Sequence, residues 1–167
     1  MASGDTLLVL PASAGIPPNS GTGATPTRRG NDGHYVYAFD ASSVEELDWE
    51  TVLPAHYGGG GLTISLRWMA ATAASGNVVW AAQIERYQDD TVDLDSDQFA
   101  AANTVTAGAP SASGEVGYDS ITFTDGADMD SLAAGESFRL RVYRAATDGS
   151  DTMTGDAQLL TVHITET

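Results

Sequence analysis

Three aspartates spaced two residues apart offer a candidate for metal chemistry. Asp93, Asp95 and Asp97 have the one-three-five oxygen spacing with which calcium-binding loops begin. The rest of such a loop is missing, because Gln98 stands where the turn requires glycine and Thr104 where a bidentate glutamate is required. We expect the run from 93 to 97 to be a solvated acidic loop, with calcium binding as the alternative.

A second group of carboxylates surrounds a predicted turn. Asp125, Asp128 and Asp130 lie near Gly126, and we expect Asp125 or Asp128 to cap a short helix. A glycosidase needs two carboxylates at a set separation inside a cleft, which spacing along the chain does not establish. The sequence has no Gly-x-Ser-x-Gly elbow, and the glycine run from 58 to 61 lacks the Lys-Ser/Thr of a phosphate-binding loop. We expect no catalytic residues and no enzymatic activity.

The three histidines, His34, His56 and His163, stand far apart without the paired spacing of metal ligands. A jelly roll could bring them together as a cupin does, but no cupin motif flanks them. Cysteine is absent, which excludes disulfides, thiolate nucleophiles and cysteine-based zinc sites. We expect exposed or rim positions for the histidines, and neither a metal nor a cofactor.

Aromatic residues divide into core and surface candidates. Trp68 and Trp80 lie on the inward faces of predicted strands, so we expect them in the core. Trp49, Tyr57 and Tyr87 could instead form a platform on which a sugar ring stacks, although core or rim packing is the favoured interpretation.

Three of the seven arginines are close together in the predicted strand 138–143 and its end. We expect Arg139, Arg141 and Arg144 to share its outward face, where guanidinium groups could pair with carboxylates of a neighbouring subunit. Pairing within the chain is the equally weighted alternative.

Charge is the most unusual property of the chain. Its 167 residues (17.3 kDa) carry 23 carboxylates against 7 arginines and no lysine, a formal net charge of −16 with a pI near 4.1. A field of this sign repels nucleic acids and anionic membranes, so we expect neither as a partner. No window reaches the ~18 apolar residues of a membrane span. The apolar run Leu7–Leu10 is too short for an export signal, so we expect synthesis and folding in a cytoplasm.

Alternating apolar and polar residues predict strands along most of the chain. We predict strands at 5–10, 34–39, 62–68, 78–85, 104–106, 116–124, 138–143 and 160–165, and short helical turns within 44–53, 96–102 and 128–134. Strands 62–68 and 78–85 are expected to form a hairpin, and the last strand to face inward with Leu160, Val162 and Ile164. Eight or nine strands without a long amphipathic helix indicate an all-β fold, a jelly-roll-like antiparallel β-sandwich.

The N-terminal third differs in composition from the rest. Residues 11–33 hold four of the six prolines, together with many Gly, Ser, Thr and Asn residues. Such a segment buries little apolar surface, so we expect residues 1–33 to form a first strand and an extended arm, and residues 34–167 to form the sandwich domain. The arm is either a mobile linker or a segment that becomes ordered on a neighbouring subunit.

Several stretches between residues 50 and 167 carry a family resemblance: Leu53–Pro54, Tyr57–Ala70, Ser75–Arg86, Ile121–Ala127, Met129–Glu136, Phe138–Arg144 and Asp151–Ala157. Together they resemble small β-sandwich structural proteins of tailed-bacteriophage virions. The resemblance brings no catalytic or ligand-binding residues with it.

This resemblance implies a protein of the virion. By fold-level analogy the expected role is a capsid decoration (cement) protein, a homotrimer that binds the outer surface of the major capsid protein shell and stabilises it. The alternative is a tail, fibre or baseplate component that binds a receptor glycan. The expected partners are the major capsid protein and further copies of the chain.

Overall fold

The computed structural model describes residues 4–19, 21–31, 33–73 and 75–167. Within these ranges the strands are β1 (Thr6–Pro11), β2 (Thr25–Arg29), β3 (His34–Phe39), β4 (Glu45–Val52), β5 (Leu62–Ala70), β6 (Asn77–Arg86), β7 (Asn103–Gly108), β8 (Gly117–Phe123), β9 (Ser137–Arg144) and β10 (Ala157–Glu166). Two short 3-10 turns, Ala12–Ala14 and Ala127–Met129, accompany them. No helix among the described residues has the length and apolarity needed to cross a membrane.

The strands form two antiparallel sheets. In the first sheet the order is β2-β3-β10-β5-β8, and one edge of β10 is shared by β3 and by β1. The second sheet has the order β4-β9-β6-β7. The two sheets pack face to face, which confirms the predicted all-β antiparallel sandwich.

The core lies between the sheets and is centred on aromatic residues. Trp68 of the first sheet and Trp80 of the second are both fully buried, with ring centroids 5.8 Å apart in an edge-to-face arrangement. Phe39 lies 5.0 Å from Trp80 in the same type of contact. The expectation that both tryptophans belong to the core is confirmed, because alternation along β5 and β6 points them inward.

The predicted hairpin between 62–68 and 78–85 is wrong. Strand β5 pairs with β8 and β10 in the first sheet, whereas β6 pairs with β7 and β9 in the second. The connection therefore crosses from one sheet to the other, and the Ala71 N–H donates to the Asp156 carbonyl at 2.9 Å as the chain leaves β5. Alternation identifies a strand but does not identify its partner.

Three further local predictions need correction. Residues 45–52 are strand β4 rather than a helical turn, since Leu47 and Trp49 alternate with acidic residues and are buried. Residues 96–102 contain no helix. In β10 a bulge between Leu159 and Thr161 turns Leu159 into the core and leaves Leu160 half-buried on the outer side, while Val162 and Ile164 are buried as predicted.

The described part of the N-terminal segment lies along the sandwich and does not extend away from it. Strand β1 pairs with β10 and strand β2 pairs with β3, so both belong to the first sheet. Between them, Ala12 and Ala24 are buried, and backbone bridges join Ile16 to Asp48 and Gly23 to Glu46. The expected extended arm is therefore not seen, because backbone hydrogen bonds hold a segment whose few apolar side chains could not do so alone.

Candidate functional site

Charged side chains meet on the outer face of the second sheet. Alternation along β4, β9 and β6 turns every second residue outward. The strand register sets Asp48 opposite Arg141. It also sets Arg139 between Glu50 on one side and Glu85 on the other. Residues far apart in sequence thereby form one network of acids and bases.

Arg141 forms a two-bond ion pair with Asp48. Its Nε donates to Oδ1 at 2.8 Å and its Nη2 donates to Oδ2 at 2.9 Å. Both residues are only 6% exposed. Desolvation makes a buried ion pair costly unless its geometry is good, and the two parallel hydrogen bonds supply that geometry.

Asp97 connects Arg141 to Arg139. Its Oδ2 accepts from Nη1 of Arg141 at 2.9 Å and its Oδ1 accepts from Nη2 of Arg139 at 2.5 Å. Nε of Arg139 also donates to Oε2 of the fully buried Glu85 at 2.8 Å. The ring of Phe99 lies against both guanidinium groups, with centroid distances of 4.4 and 4.5 Å. The two arginines are thus fixed in orientation before any ligand arrives.

Strand β6 holds the segment that carries Asp97 and Phe99. The Gln98 N–H donates to Oε1 of Glu85 at 2.6 Å, and Nε2 of Gln83 donates to the Ala100 carbonyl at 3.1 Å. The segment is anchored to the sheet by these side chains although it contains no helix or strand.

The network stabilises the charged forms of Asp97 and Arg141. Partial burial acts to raise the pKa of Asp97, but hydrogen bonds and charges from Arg139 and Arg141 outweigh it and lower the pKa. Burial likewise acts to lower the pKa of Arg141, while Asp48 and the neighbouring carboxylates raise it above its usual value. At neutral pH Asp97 is therefore a carboxylate and Arg141 a guanidinium ion.

A cleft of about 380 Å³ lies over this network. Its opposite wall is the N-terminal segment, held by hydrogen bonds in both directions between the backbones of Ile16 and Asp48 (2.8 and 3.1 Å). Gly15 permits this close approach, because a Cβ there would lie 2.6 Å from Cγ of Leu47. We call this space the second-sheet cleft; its lining residues are Ile16, Pro17, Pro18, Asn19, Asp48, Glu50, Asp97, Arg139 and Arg141.

The second-sheet cleft combines an apolar wall with a polar floor. Ile16 is 62% exposed and continues into two prolines, so this wall offers apolar surface. Three carboxylates and two guanidinium groups provide acceptors and donors at fixed positions. Its volume falls in the range of about 300–1,000 Å³ typical of small-molecule sites. Such a lining suits an uncharged ligand with many hydroxyl groups, each of which both donates and accepts.

Trp49, Tyr57 and Tyr87 show the favoured core or rim packing and do not form the alternative, a platform for a sugar ring. Trp49 is 3% exposed, and its Nε1 donates to the Pro11 carbonyl at 3.0 Å. Tyr57 is also buried, and its hydroxyl donates to Oδ1 of Asp125 at 3.1 Å. Tyr87 is half-buried, with its hydroxyl donating at 3.0 Å to Glu50 at the edge of the cleft. Trp49 points inward because residues 45–52 form strand β4 and not the predicted helical turn.

The predicted outward row of Arg139, Arg141 and Arg144 is correct for the first two residues only. Arg144 points into the sandwich and is fully buried. Its Nη2 donates to Asp151 at 2.7 Å and to the Met153 carbonyl at 2.6 Å. All three guanidinium groups pair within the chain, so the structure favours intrachain pairing over a row that binds a neighbouring subunit.

The aspartate clusters are engaged in local contacts. Oδ1 of Asp93 accepts from the Asp95 N–H at 3.0 Å, and Asp97 belongs to the arginine network. In the other cluster Asp128 accepts from the Thr124 N–H at 2.7 Å instead of capping a helix. The part of the chain that the structure describes holds no group of three or more His, Cys, Asp or Glu residues placed to bind a metal.

The histidines do not share a site. His34 and His163 lie on different strands of the first sheet, and His56 lies in the turn before the glycine run. That run borders a separate depression of about 390 Å³, where Tyr57 is the aromatic residue and its hydroxyl is already bonded.

The structure places two further aromatic residues beside arginines. Phe99 supports the guanidinium groups of the cleft, and Tyr118 on β8 is 70% exposed beside Arg67. Alternation along β8 could have placed Tyr118 outward, since Ile121 and Phe123 define the inward face. No local pattern could have placed Phe99, which depends on contacts with β9.

Neither a sequence family nor a curated protein matches the chain at the level of sequence. Solved structures do share its fold. The K3 cleaved adhesin domain of Lys-gingipain from Porphyromonas gingivalis matches with a TM-score of 0.51 and 15% identity, over 96% of this chain and 99% of that domain.

Two larger proteins match over part of their length. The CBM22-1–GH10 modules of Clostridium thermocellum xylanase 10B, complexed with xylohexaose, give a TM-score of 0.50 and 14% identity over 97% of this chain and 28% of theirs. The exo-β-1,3-galactanase from Phanerochaete chrysosporium, solved with galactose, matches with a TM-score of 0.50 and 10% identity. The match covers 96% of this chain and 29% of the galactanase chain. The chain thus spans less than a third of the length of each.

Separate carbohydrate-binding modules are also similar to the chain, at TM-scores of 0.44 to 0.49. At these identities the shared property is the β-sandwich fold.

Proposed function

We propose that this chain is a non-catalytic glycan-binding module and that a neutral sugar unit occupies the second-sheet cleft. The observation that carries the proposal is the preformed polar floor of the cleft, where Arg139, Arg141 and Asp97 hold one another in place beneath an exposed apolar wall. Sugar hydroxyls match paired donors and acceptors, and an apolar wall can cover the C–H face of a sugar ring.

The charge of the cleft specifies a neutral ligand. Three lining carboxylates face two guanidinium groups, so the lining keeps an excess of negative charge in a protein of net charge −16. An acidic polysaccharide would be repelled. The hydroxyl groups of a neutral ligand accept hydrogen bonds from the arginines and donate them to the carboxylates, without charge repulsion.

Two larger proteins that share this fold over less than a third of their length were solved with neutral sugars, xylohexaose and galactose, which supports this choice of ligand. Of the two virion roles implied by the phage resemblance, the cleft favours a receptor-binding component of the tail, fibre or baseplate. Capsid decoration, with the major capsid protein as partner, stays a prediction that copy counting in purified particles would test.

Titration calorimetry with a panel of neutral oligosaccharides that includes xylohexaose tests the proposal. We expect Asp97→Asn to weaken the binding of any ligand found by about tenfold, because a hydrogen bond between charged groups is exchanged for a weaker one. Asp95→Asn is the matched control, since it removes an equal charge from the same loop outside the cleft lining. Equal losses in both variants, or no binding across the panel, would contradict the proposal.

A further inference from the structure

The outer face of the first sheet has a composition that the net charge does not predict. Its outward strand positions are rich in hydroxyl groups, in the cross-strand rows Thr165–Thr63–Thr122, His163–Ser65–Ser120 and Thr161–Arg67–Tyr118. Among the described residues, no Asp or Glu occupies an outward position on any strand of this sheet. The described strands of the first sheet therefore present an outer face without carboxylates, although the chain has 23 of them.

Arg67 at the centre of this face lacks an acidic partner. Its guanidinium carbon lies 4.1 Å from the ring centroid of Tyr118, and its side chain makes no hydrogen bond or ion pair with any residue that the structure describes. Arg86, Arg139 and Arg141, by contrast, all pair with carboxylates. Stacking on an aromatic ring holds a guanidinium group flat and leaves its edge free to bind a carboxylate.

The same chain presents a complementary surface in the loop 89–97. Asp89, Asp90, Asp93 and Asp95 are exposed there and make no ion pair with the described residues. Leu94 at its tip is 67% exposed. An apolar tip flanked by acids matches an exposed aromatic ring flanked by a free arginine.

We propose that the outer face of the first sheet binds the acidic loop 89–97 of a second copy of the chain, with Arg67 and Tyr118 at the centre of the contact. Two different surfaces then meet, so the contact is head-to-tail and generates a closed ring or an open chain of copies. This proposal does not depend on glycan binding, because Arg67 lies on the opposite face of the sandwich and the unpaired acids of the loop, Asp89 to Asp95, lie outside the cleft lining.

The size of the face is consistent with a specific but modest contact. From strand spacing and rise, five strands of this length cover about 600–700 Å², close to the ~800 Å² that each partner buries in a standard interface. A single loop covers part of that area, so we expect reversible association that depends on protein concentration.

Sedimentation velocity of the full chain over a concentration series, at about 0.15 M salt where the Debye length is about 8 Å, tests the contact. We expect Arg67→Ala to weaken association by about tenfold, since it removes a charged hydrogen-bond donor from the interface. Arg28→Ala is the matched control: Arg28 also stacks on a tyrosine, at 6.0 Å from Tyr35, but it points to the other side of the sheet. We expect this control to associate like the parent chain.

Cross-linking identifies which surfaces meet. The chain has no cysteine, so Ser96→Cys in the loop and Ser120→Cys on the face are single probes. We expect a disulfide to form when the two variants are mixed, and none within either variant alone.

Four outcomes would overturn the proposal. A chain that stays monomeric at every concentration would show that the contact does not form. Equal losses of self-association in Arg67→Ala and Arg28→Ala would show that Arg67 is not at its centre. Self-cross-linking of Ser120→Cys would replace it with a face-to-face dimer. Retention of an anionic polysaccharide that depends on Arg67, by a chain that does not self-associate, would assign the face to another class of partner.

Discussion

On the second sheet, Arg139 and Arg141 are enclosed by carboxylates, whereas on the first sheet Arg67 lies over Tyr118 without an acidic partner among the described residues. Both faces belong to one sandwich with a net charge of −16. On the second sheet the charged side chains pair with one another and form the floor of a cleft. On the first sheet the guanidinium group of Arg67 remains available to a partner. Net charge therefore describes the solution behaviour of this protein but not the chemistry of either face.

The difference originates in the strand register. Acidic residues at alternate positions of β4 lie opposite arginines at alternate positions of β9, so pairing follows from the antiparallel alignment. The strands next to Arg67 carry Thr161 and Tyr118 at the corresponding positions. Cross-strand neighbours thus decide whether a charge is used within the fold or remains available to a partner.

The largest difference between the two faces should appear in stability. We expect Arg141→Ala to lower the free energy of unfolding by about 3 kcal/mol, because the buried Asp48 carboxylate loses both short hydrogen bonds and keeps only the longer 3.6 Å contact with Arg139. Arg67→Ala should cost no more than about 1 kcal/mol, the value of an exposed stacking contact. Urea denaturation of both variants measures the difference. Similar losses would mean that the second-face network does not hold the fold more strongly than the isolated arginine does.

Salt should separate the two binding events. Between about 0.15 and 1 M salt the Debye length falls from about 8 Å to 3 Å, so exposed ion pairs at the first face are weakened. We expect self-association to fall several-fold over this range. Affinity for a neutral oligosaccharide should change by less than about twofold, because the network beneath the cleft is largely buried and its ligand is uncharged. Parallel sedimentation and calorimetry give both numbers, and a glycan affinity that falls as steeply as self-association would contradict the neutral-ligand assignment.

The smallest difference between the two faces should appear in how the free energy of unfolding changes at acid pH. The folded-state pKa of Asp97 is lowered, so its contribution to stability is complete above the ordinary aspartate value near 3.9 and is lost as pH falls through the folded-state pKa. We expect Asp97→Asn to lose less stability than the parent chain between about pH 5 and pH 2, because the unfolded state no longer gains that proton. Urea denaturation at several pH values measures this slope. Ser120→Ala on the first face adds or removes no titrating group and should keep the parent slope; an unchanged slope in Asp97→Asn would contradict the account.

Much of the sandwich could be predicted from local alternation. The inward residues Leu62 to Trp68 of β5 and Phe138 to Val142 of β9 follow a period of two, and the structure buries them as expected. The pairing of β5 with β8 and β10 could not be predicted, since the same alternation fits a hairpin with β6 equally well. Likewise, β4 reads as an acidic turn until the arginines of β9, some 90 residues away, are placed opposite it.

The candidate site was less accessible to prediction than the fold. Arg139 and Arg141 were recognised as outward residues, but their partners Asp48 and Asp97 come from distant segments that only the folded chain brings together. The wall at Ile16 belongs to a stretch whose prolines and glycines indicated an arm. Its position depends on backbone hydrogen bonds to β4, for which side-chain composition gives no signal.

The most direct test of the glycan-binding cleft is a map of ligand contacts on the two faces. An isotope-labelled full chain would be titrated with the best neutral oligosaccharide of the panel while backbone amide resonances are recorded. We predict that the shifts concentrate at Ile16, Asp97 and Phe99 and leave Tyr118 and Ser120 unchanged. Shifts confined to the first face, or none at a saturating concentration of every oligosaccharide tested, would contradict the account.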